Sequence, residues 1–129
     1  MHSSRLELWA TRKFDVIAIP VLVQRSNPTR KLGLAFREVF QKVNNAPTSD
    51  AYSAYSFDAW LVFVDAAARA KGEPGTAGFR QSLRDAIFST REVVGTHGVY
   101  NFKPGSLDGV DERARVIVTL DQGQWKLVP

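Results

Sequence analysis

The sequence contains no cysteine, only two histidines and no long apolar run. The absence of cysteine excludes disulfide bonds, thiolate metal sites and cysteine nucleophiles. The longest uninterrupted apolar stretches, 59–64 and 16–19, are far shorter than the roughly 20 residues of a membrane-spanning helix. The first 13 residues also lack the apolar core of about 7–15 residues that a signal peptide has. The sequence therefore predicts neither a membrane span nor an export signal.

The composition is that of an ordinary folded domain. The chain has 129 residues, of which 44% are apolar and 23% are charged. Domains typically contain about 50–250 residues, so the length suits one folding unit. The proportions exclude a disordered, collagen-like or coiled-coil chain.

The net charge of +4 is unevenly distributed along the chain. Residues 1–45 hold eight basic and three acidic side chains, so the basic excess is N-terminal. Such an excess could attract nucleic acid or an anionic membrane. The basic residues at 30, 31, 37 and 42 nevertheless alternate with apolar ones at helical spacing, which is typical of a solvated helix face. We therefore expect no nucleic-acid partner.

The first of three predicted helices begins after residue 26. Asn27 is a plausible N-cap, and Pro28 suits the first helical position because its missing N–H has no partner there. The Asn44-Asn45 pair and Pro47 predict its end. Its apolar residues recur every three or four positions and form one stripe, which we expect to be buried: Leu32, Ala35, Phe36, Val39, Phe40 and Val43.

The second predicted helix lies within 50–72, and its apolar residues extend almost all the way round. This pattern predicts a central helix with Trp60 and Phe63 in the core. Asp58 and Asp65 are seven positions apart and share a face, which we interpret as a solvated or functional edge. Thr76 is a plausible cap for a third helix that ends before Gly95.

The remaining segments have β character. Residues 15–23 are β-branched and include Pro20, which favours an edge strand. Residues 98–102 alternate like a strand, and two strands between 114 and 128, joined by a turn at 121–124, predict a hairpin. The predicted fold class is α+β, with three helices and a small antiparallel sheet.

The sequence offers little catalytic chemistry. His2 and His97 lie on different segments without other ligands nearby, so we expect no metal site. The 95–98 stretch, GTHG, lacks the lysine and hydroxyl of a phosphate-binding loop and follows a helix. We interpret it as a helix C-terminal turn whose glycines have positive φ. No GxSxG motif is present, and we expect neither an enzyme nor a cofactor.

Four aromatic residues cluster at the start of the second predicted helix: Tyr52, Tyr55, Phe57 and Trp60. Core packing is the first interpretation of such a cluster, and contact with a small ligand is the second. The sequence leaves both interpretations open.

Three segments together carry a resemblance to a known family: SNPTRKLGLAFREVFQK, DAYSAYSFDAWLVFVDAA, and the block from REVVGTHGVYNFKPG to GQWKLV, which is the most specific. Over residues 16–128 the chain resembles the C-terminal third of periplasmic solute-binding proteins of the branched-chain amino acid transporter class. The resemblance implies part of a type I periplasmic binding fold, in which two α/β lobes close on a ligand. It divides the chain into an extension at 1–15 and a single domain at 16–129.

The resemblance also implies a function. The domain would descend from a protein that binds branched-chain amino acids or similar small ligands for ABC-type uptake, with an ABC permease as partner. Tyr52, at the edge of the ligand groove, and Tyr55 would contact the ligand. Most other ligand contacts would come from sequence that this chain lacks, so we expect it to be incomplete for binding. The alternative is an orphan protein-interaction domain without solute binding.

Two further expectations concern location and assembly. The family is periplasmic, whereas the missing signal peptide leaves a cytoplasmic location open. In a whole binding protein the apolar stripes of the first and third helices would cover a parallel sheet. Without that sheet we expect a homo-oligomer or association with a companion chain.

Overall fold

The computed structural model describes residues 25–48, 52–106, 108–115 and 117–128. The extension predicted at 1–15 and the strand predicted at 15–23 lie outside these residues. The described elements, in chain order, are three helices, two short strands, a 3₁₀ turn and a hairpin: α1 (Thr29–Asn44), α2 (Tyr52–Arg69), α3 (Ala77–Phe88), β1 (Val93–Val94), β2 (Val99–Tyr100), the 3₁₀ turn Glu112–Ala114, β3 (Val118–Asp121) and β4 (Gln124–Leu127).

Helix α1 begins and ends close to the predicted positions. The side-chain oxygen of Asn27 accepts the backbone N–H of Thr29 at 3.0 Å and so satisfies a donor that the first turn leaves unpaired. At the other end Asn45 adopts a left-handed conformation, with φ of 52°, which terminates the helix. The predicted stop is confirmed. The start is one residue later than predicted, because Pro28, expected at the first helical position, lies just before the first helical residue.

Helix α2 buries one face only. Its buried side chains recur every fourth residue, at Ala54, Asp58, Val62 and Ala66, and this face packs against α3 and β1. The opposite face is open, since Trp60 is 58% exposed and Phe63 is 41% exposed. The prediction of a helix covered on all sides, with these two residues in the core, is wrong. Within the described part of the chain, no packed element covers that side.

Helix α3 is capped as predicted and is attached to the end of α2. The Thr76 hydroxyl accepts the backbone N–H of Phe79 at 3.1 Å. At the other end the Arg69 guanidinium donates to the Ala86 carbonyl at 2.8 Å and to Asp65 at 2.7 Å. These contacts hold the C-terminal ends of α2 and α3 together.

The strands form two separate antiparallel pairs. In the first, Val93 pairs with Tyr100 and Val94 with Val99. In the second, β3 and β4 pair from Val118 with Leu127 to Asp121 with Gln124. The predicted hairpin is confirmed, although β3 starts at 118 because residues 112–114 form the 3₁₀ turn.

The hairpin turn has the backbone that two-residue connections require. Gln122 and Gly123 have φ of 48° and 79°. Two consecutive left-handed residues are the mark of a type I′ turn, whose twist matches that of the flanking strands. Among the described helices, none is both long and apolar enough to span a membrane.

Candidate functional site

The GTHG segment forms the tight turn between β1 and β2. The Gly95 N–H donates to the Gly98 carbonyl at 2.8 Å and closes the turn. The turn folds over the buried face of α2, where it surrounds the carboxylate of Asp58. The prediction of a helix C-terminal turn is wrong, and neither Gly95 nor Gly98 has a positive φ.

Asp58 is the anion that this turn binds. The backbone N–H of Thr96 donates to Asp58 Oδ1 at 2.7 Å, and that of His97 donates to Oδ2 at 3.1 Å. The Tyr100 hydroxyl also donates to Oδ2, at 2.9 Å. Successive backbone N–H groups of this kind form an anion-binding nest. Here the nest is filled by a side chain of the same chain.

Gly95 is required for space rather than for backbone freedom. A Cβ at this position would lie 2.5 Å from the Tyr100 ring and 2.6 Å from Asp58 Oδ2. No side chain larger than hydrogen therefore fits without displacing the carboxylate or the ring. The turn approaches α2 closely only because residue 95 is glycine.

Hydrogen bonds keep Asp58 ionised, whereas burial keeps Tyr100 neutral. Burial alone would raise the pKa of Asp58, but hydrogen bonds from His97, Thr96 and Tyr100 outweigh it and lower the pKa below its ordinary value. Burial, followed by the negative charge of Asp58, raises the pKa of Tyr100 far above its ordinary value. At neutral pH the site therefore holds a carboxylate and a neutral phenol.

Tyr55 lies against the turn and is the one predicted ligand-binding residue whose side chain the structure describes. Its ring stacks on that of His97, with a centroid separation of 4.0 Å and an interplanar angle of 27°. Tyr55 is 46% exposed, so part of the ring faces solvent. Tyr52 is the first residue of α2, but its side chain lies outside the described part of the structure.

The aromatic residues predicted to cluster at the start of α2 point in different directions. Tyr55 stacks on His97, Phe57 lies 5.1 Å from Phe36 of α1, and Trp60 stacks on Phe63 at 5.5 Å. Tyr55 and Phe57 are two positions apart and differ by about 200° in direction, whereas Phe57 and Trp60 are three positions apart and lie within about 60° of each other. Of the three described rings of this cluster, Tyr55 alone belongs to the site around Asp58.

The group formed by Thr96, His97 and Asp58 is not a proton relay. A relay needs the two ring nitrogens of histidine to face different partners. Here His97 Nδ1 faces both, at 2.8 Å from the Thr96 hydroxyl and 3.4 Å from Asp58. The arrangement positions the His97 ring.

A second polar cluster holds the following loop in place. The Arg113 guanidinium contacts Glu92 at 2.9 Å and Asp111 at 2.5 Å. Hydrogen bonds from Arg113 lower the pKa of Asp111 to about 2 and also lower that of Glu92. Asn101 donates to Glu92 at 2.8 Å. Each of these charges has a partner, so the cluster joins β1 and β2 to the 3₁₀ turn.

No group of three or more His, Asp or Glu side chains within the described residues could hold a metal ion. Sequence reasoning named Asp58 on a solvated or functional edge but did not predict that it is buried at the centre of the site. The available signal was its spacing, because Asp58 lies four residues from both Ala54 and Val62 and thus on their face. His97 carried no comparable signal, since its position depends on the fold of the turn.

Comparison with known proteins places this geometry in a larger architecture. No protein-family model and no curated protein matches the chain. Among solved structures, Rp1789 from Rhodopseudomonas palustris strain CGA009 is 29% identical, with a TM-score of 0.74 over 89% of this chain and 33% of its own. An extracellular ligand-binding receptor from Rhodopseudomonas palustris HaA2 is 26% identical, with a TM-score of 0.70 over 88% and 32%.

A further extracellular ligand-binding receptor from Rhodopseudomonas palustris is 28% identical, with a TM-score of 0.67 over 88% of this chain and 32% of its own. The chain has the fold of one third of such a receptor. The resemblance to type I periplasmic binding proteins and the α+β fold class are therefore confirmed. The chain spans about a third of the length of the structures that it matches.

Proposed function

We propose that this chain is a solute-binding-protein-like domain, derived from a receptor for branched-chain amino acids or similar small ligands that serves ABC-type uptake. The observation that carries the proposal is the likeness to extracellular ligand-binding receptors over nearly 90% of the chain. The sequence resemblance to the branched-chain amino acid class supports the ligand. A periplasmic location and an ABC permease as partner are parts of the same proposal.

The start of α2 is the proposed ligand side. Tyr55 offers a half-exposed ring that His97 holds in place, and Asp58 and Thr96 fix the histidine from behind. A held aromatic ring suits the apolar side chain or the ammonium group of an amino acid. Tyr52 is proposed as a second contact because it begins the same helix.

We expect the chain alone to bind such ligands weakly. Ligand sites normally enclose 70–90% or more of a small molecule. The Tyr55 ring is open to solvent on one side, and the chain corresponds to only one third of a neighbour. One wall of a cleft gives a fraction of the contacts that a closed cleft provides.

Titration of the chain with leucine, isoleucine and valine, followed by NMR and calorimetry, tests the proposal. We expect millimolar binding that shifts the aromatic resonances of Tyr55 and His97 and is lost in Tyr55→Ala. Phe88→Ala is the matched control, because Phe88 is 45% exposed on α3 and lies outside the site. Micromolar binding would contradict the incomplete site, and the absence of any shift at high millimolar ligand would contradict solute binding.

The alternative function is a protein-interaction domain that has lost solute binding. The observation in its favour is the open apolar side of α2, where Trp60 is more than half exposed. In this case the titration gives no response, while the apolar surface binds a polypeptide.

A further inference from the structure

One ring nitrogen of His97 is engaged by the protein and the other is open. Nδ1 lies 2.8 Å from the Thr96 hydroxyl and 3.4 Å from Asp58 Oδ2. Nε2, on the other side of the ring, has no hydrogen-bond partner within the described residues, and it is not a buried atom. Since the His97 side chain is 15% exposed, solvent reaches this nitrogen. Nε2 is therefore accessible to a ligand.

The Asp58 carboxylate determines which nitrogen carries the proton of the neutral ring. If Nδ1 were bare, its lone pair would face the negative charge of Asp58 Oδ2 at 3.4 Å. A proton on Nδ1 faces that carboxylate instead and donates to the Thr96 oxygen at 2.8 Å. The partner of one ring nitrogen thus fixes the state of the other. Nε2 is the bare nitrogen and accepts hydrogen bonds.

The charge behind His97 is negative. The Asp58 side chain is ionised and only 1% exposed, and within the described residues no lysine or arginine forms an ion pair with it. A buried charge is screened by salt less than an exposed one, so it also acts on a group beyond the histidine. A carboxylate beside one ring nitrogen raises the basicity of the imidazole. Nε2 therefore suits a hydrogen-bond donor that carries a positive charge.

Tyr55 adds an apolar surface beside this acceptor. Its ring lies 4.0 Å from that of His97, measured between centroids, and the residue is 46% exposed. A ligand whose donor reaches Nε2 is thus within reach of the Tyr55 ring. A polar group that fixes orientation beside an aromatic surface is the usual composition of a small-molecule site. The pair matches a primary ammonium group attached to an aliphatic chain.

We propose that His97 Nε2 accepts a hydrogen bond from the ammonium group of the ligand, while Tyr55 contacts its aliphatic part. The proposal rests on the proposed function and specifies which end of an amino acid faces the GTHG turn. It makes His97 a specificity-determining residue, which favours amines over carboxylates of the same shape.

The state of the ring is tested in the chain without ligand. Long-range ¹H–¹⁵N NMR correlation distinguishes a protonated from a bare ring nitrogen, and imidazole is ordinarily neutral at about pH 8. We expect the proton of His97 on Nδ1 and a bare Nε2. His2 is the other histidine of the sequence, so the signals that disappear in His97→Asn belong to His97.

Three ligands with one aliphatic skeleton test the contact in NMR titrations. They are leucine, 3-methylbutylamine, which lacks the carboxylate, and 4-methylpentanoate, which lacks the ammonium group. We expect leucine and the amine to shift the Nε2 resonance. The carboxylate without the ammonium group should bind at least about tenfold more weakly than the amine, because a hydrogen bond to a charged group is lost.

Two substitutions separate the two ring nitrogens. Glutamine reaches as far as Nε2, and its amide oxygen still accepts a hydrogen bond, whereas asparagine reaches only as far as Nδ1. His97→Gln should therefore retain most of the amine binding, and His97→Asn should weaken it about tenfold. Circular dichroism checks that both variants fold. The ligand series on the wild-type chain decides the matter even if one of them does not.

The contrary results separate this proposal from the proposed function. A proton on Nε2 of the free chain would overturn the role of His97. So would equal binding of 3-methylbutylamine and 4-methylpentanoate, or undiminished amine binding by His97→Asn. In each of these cases leucine binding would leave the proposed function in place. The absence of a response to all three ligands would contradict solute binding itself, and with it the contact at His97.

Discussion

At the scale of single residues, Asp58 shows that position along a helix matters as much as direction around it. Asp58 and Asp65 are seven residues apart and share a face, as their spacing predicts. Asp58 is nevertheless 1% exposed, whereas the Asp65 side chain is 39% exposed. The GTHG turn covers the helix at Asp58 and does not reach Asp65. Of the two interpretations of this edge, solvated or functional, the solvated one is therefore wrong for Asp58.

Asp58→Asn should destabilise the fold. The amide has no charge, and its NH₂ group cannot accept the hydrogen bonds that the carboxylate accepts from Thr96, His97 and Tyr100. Hydrogen bonds to charged groups contribute about 1.5–3 kcal/mol, so we expect a loss of that order in the free energy of unfolding. Urea denaturation at pH 6 measures it. Asp65→Asn, which removes an exposed ion pair with Arg69, should cost less than about 0.5 kcal/mol.

The loss should depend on pH in a defined direction. Because the folded pKa of Asp58 is lowered, its ionisation stabilises the fold above the unfolded pKa of about 3.9. That stabilisation disappears as the pH falls through the folded pKa. The difference in stability between the wild type and Asp58→Asn should thus be complete at pH 6 and shrink below about pH 4. A difference that stays constant to pH 2.5 would contradict the role of the charge.

Gly95→Ala should destabilise the fold strongly, although Gly95 does not have a positive φ. The added methyl group would overlap the Tyr100 ring and the Asp58 carboxylate, both of which the turn needs in place. Overpacking of this kind typically costs about 1–3 kcal/mol. Gly78→Ala in α3 is the control, since no atom lies within 4 Å of the added Cβ. There we expect a gain of up to about 1 kcal/mol from helix propensity, so equal thermal midpoints for the two variants would refute the steric argument.

At the scale of elements, local signals predicted the helices well. The capping residues Asn27, Asn45 and Thr76 lie at helix ends because their side chains or backbone satisfy local hydrogen-bonding needs. The hairpin turn at 122–123 is local for the same reason. The start of β3 was predicted too early, since the ion pair between Arg113 and Asp111 stabilises a 3₁₀ turn where alternation suggested a strand.

Thr76→Ala should weaken α3 by removing its cap. The Phe79 N–H would lose the hydroxyl that accepts it at 3.1 Å. Loss of an N-cap costs about 0.5–2 kcal/mol, which thermal unfolding followed by circular dichroism can measure. Thr76→Ser keeps the hydroxyl and should restore most of the stability. A serine variant as unstable as the alanine variant would mean that the threonine methyl group, not the cap, is what matters.

At the scale of the whole molecule, the core is small and lies between α2, α3 and the first strand pair. Val99 and Ala66 are fully buried there, whereas Val39 and Val43 of α1 are 60% and 75% exposed. The prediction that the α1 stripe is buried is therefore wrong for these two residues, because regular spacing alone does not supply a surface to pack against. The expected association with a second copy or a companion chain stays a prediction.

One type of substitution compares a core position with an exposed apolar position on α1. Val99→Ala removes buried methyl groups and should cost about 1–3 kcal/mol. Val43→Ala removes the same atoms from an exposed position and should change the free energy of unfolding by less than about 0.5 kcal/mol. Denaturant titration of both variants gives the comparison. A large loss in Val43→Ala would show that this exposed side of α1 is covered in the isolated chain.

The sequence by itself determined what depends on neighbours along the chain. The helix ends at Asn27, Asn45 and Thr76 and the 121–124 turn follow from residues within a few positions of one another. The family resemblance follows from the residue pattern of three segments along the chain. The tertiary structure decided the burial of Asp58, the stacking of Tyr55 on His97 and the exposure of Trp60. These depend on contacts between residues about 40 positions apart, or on which surface lies opposite a helix. Spacing within one helix fixes a direction, but only the folded chain determines what lies in that direction.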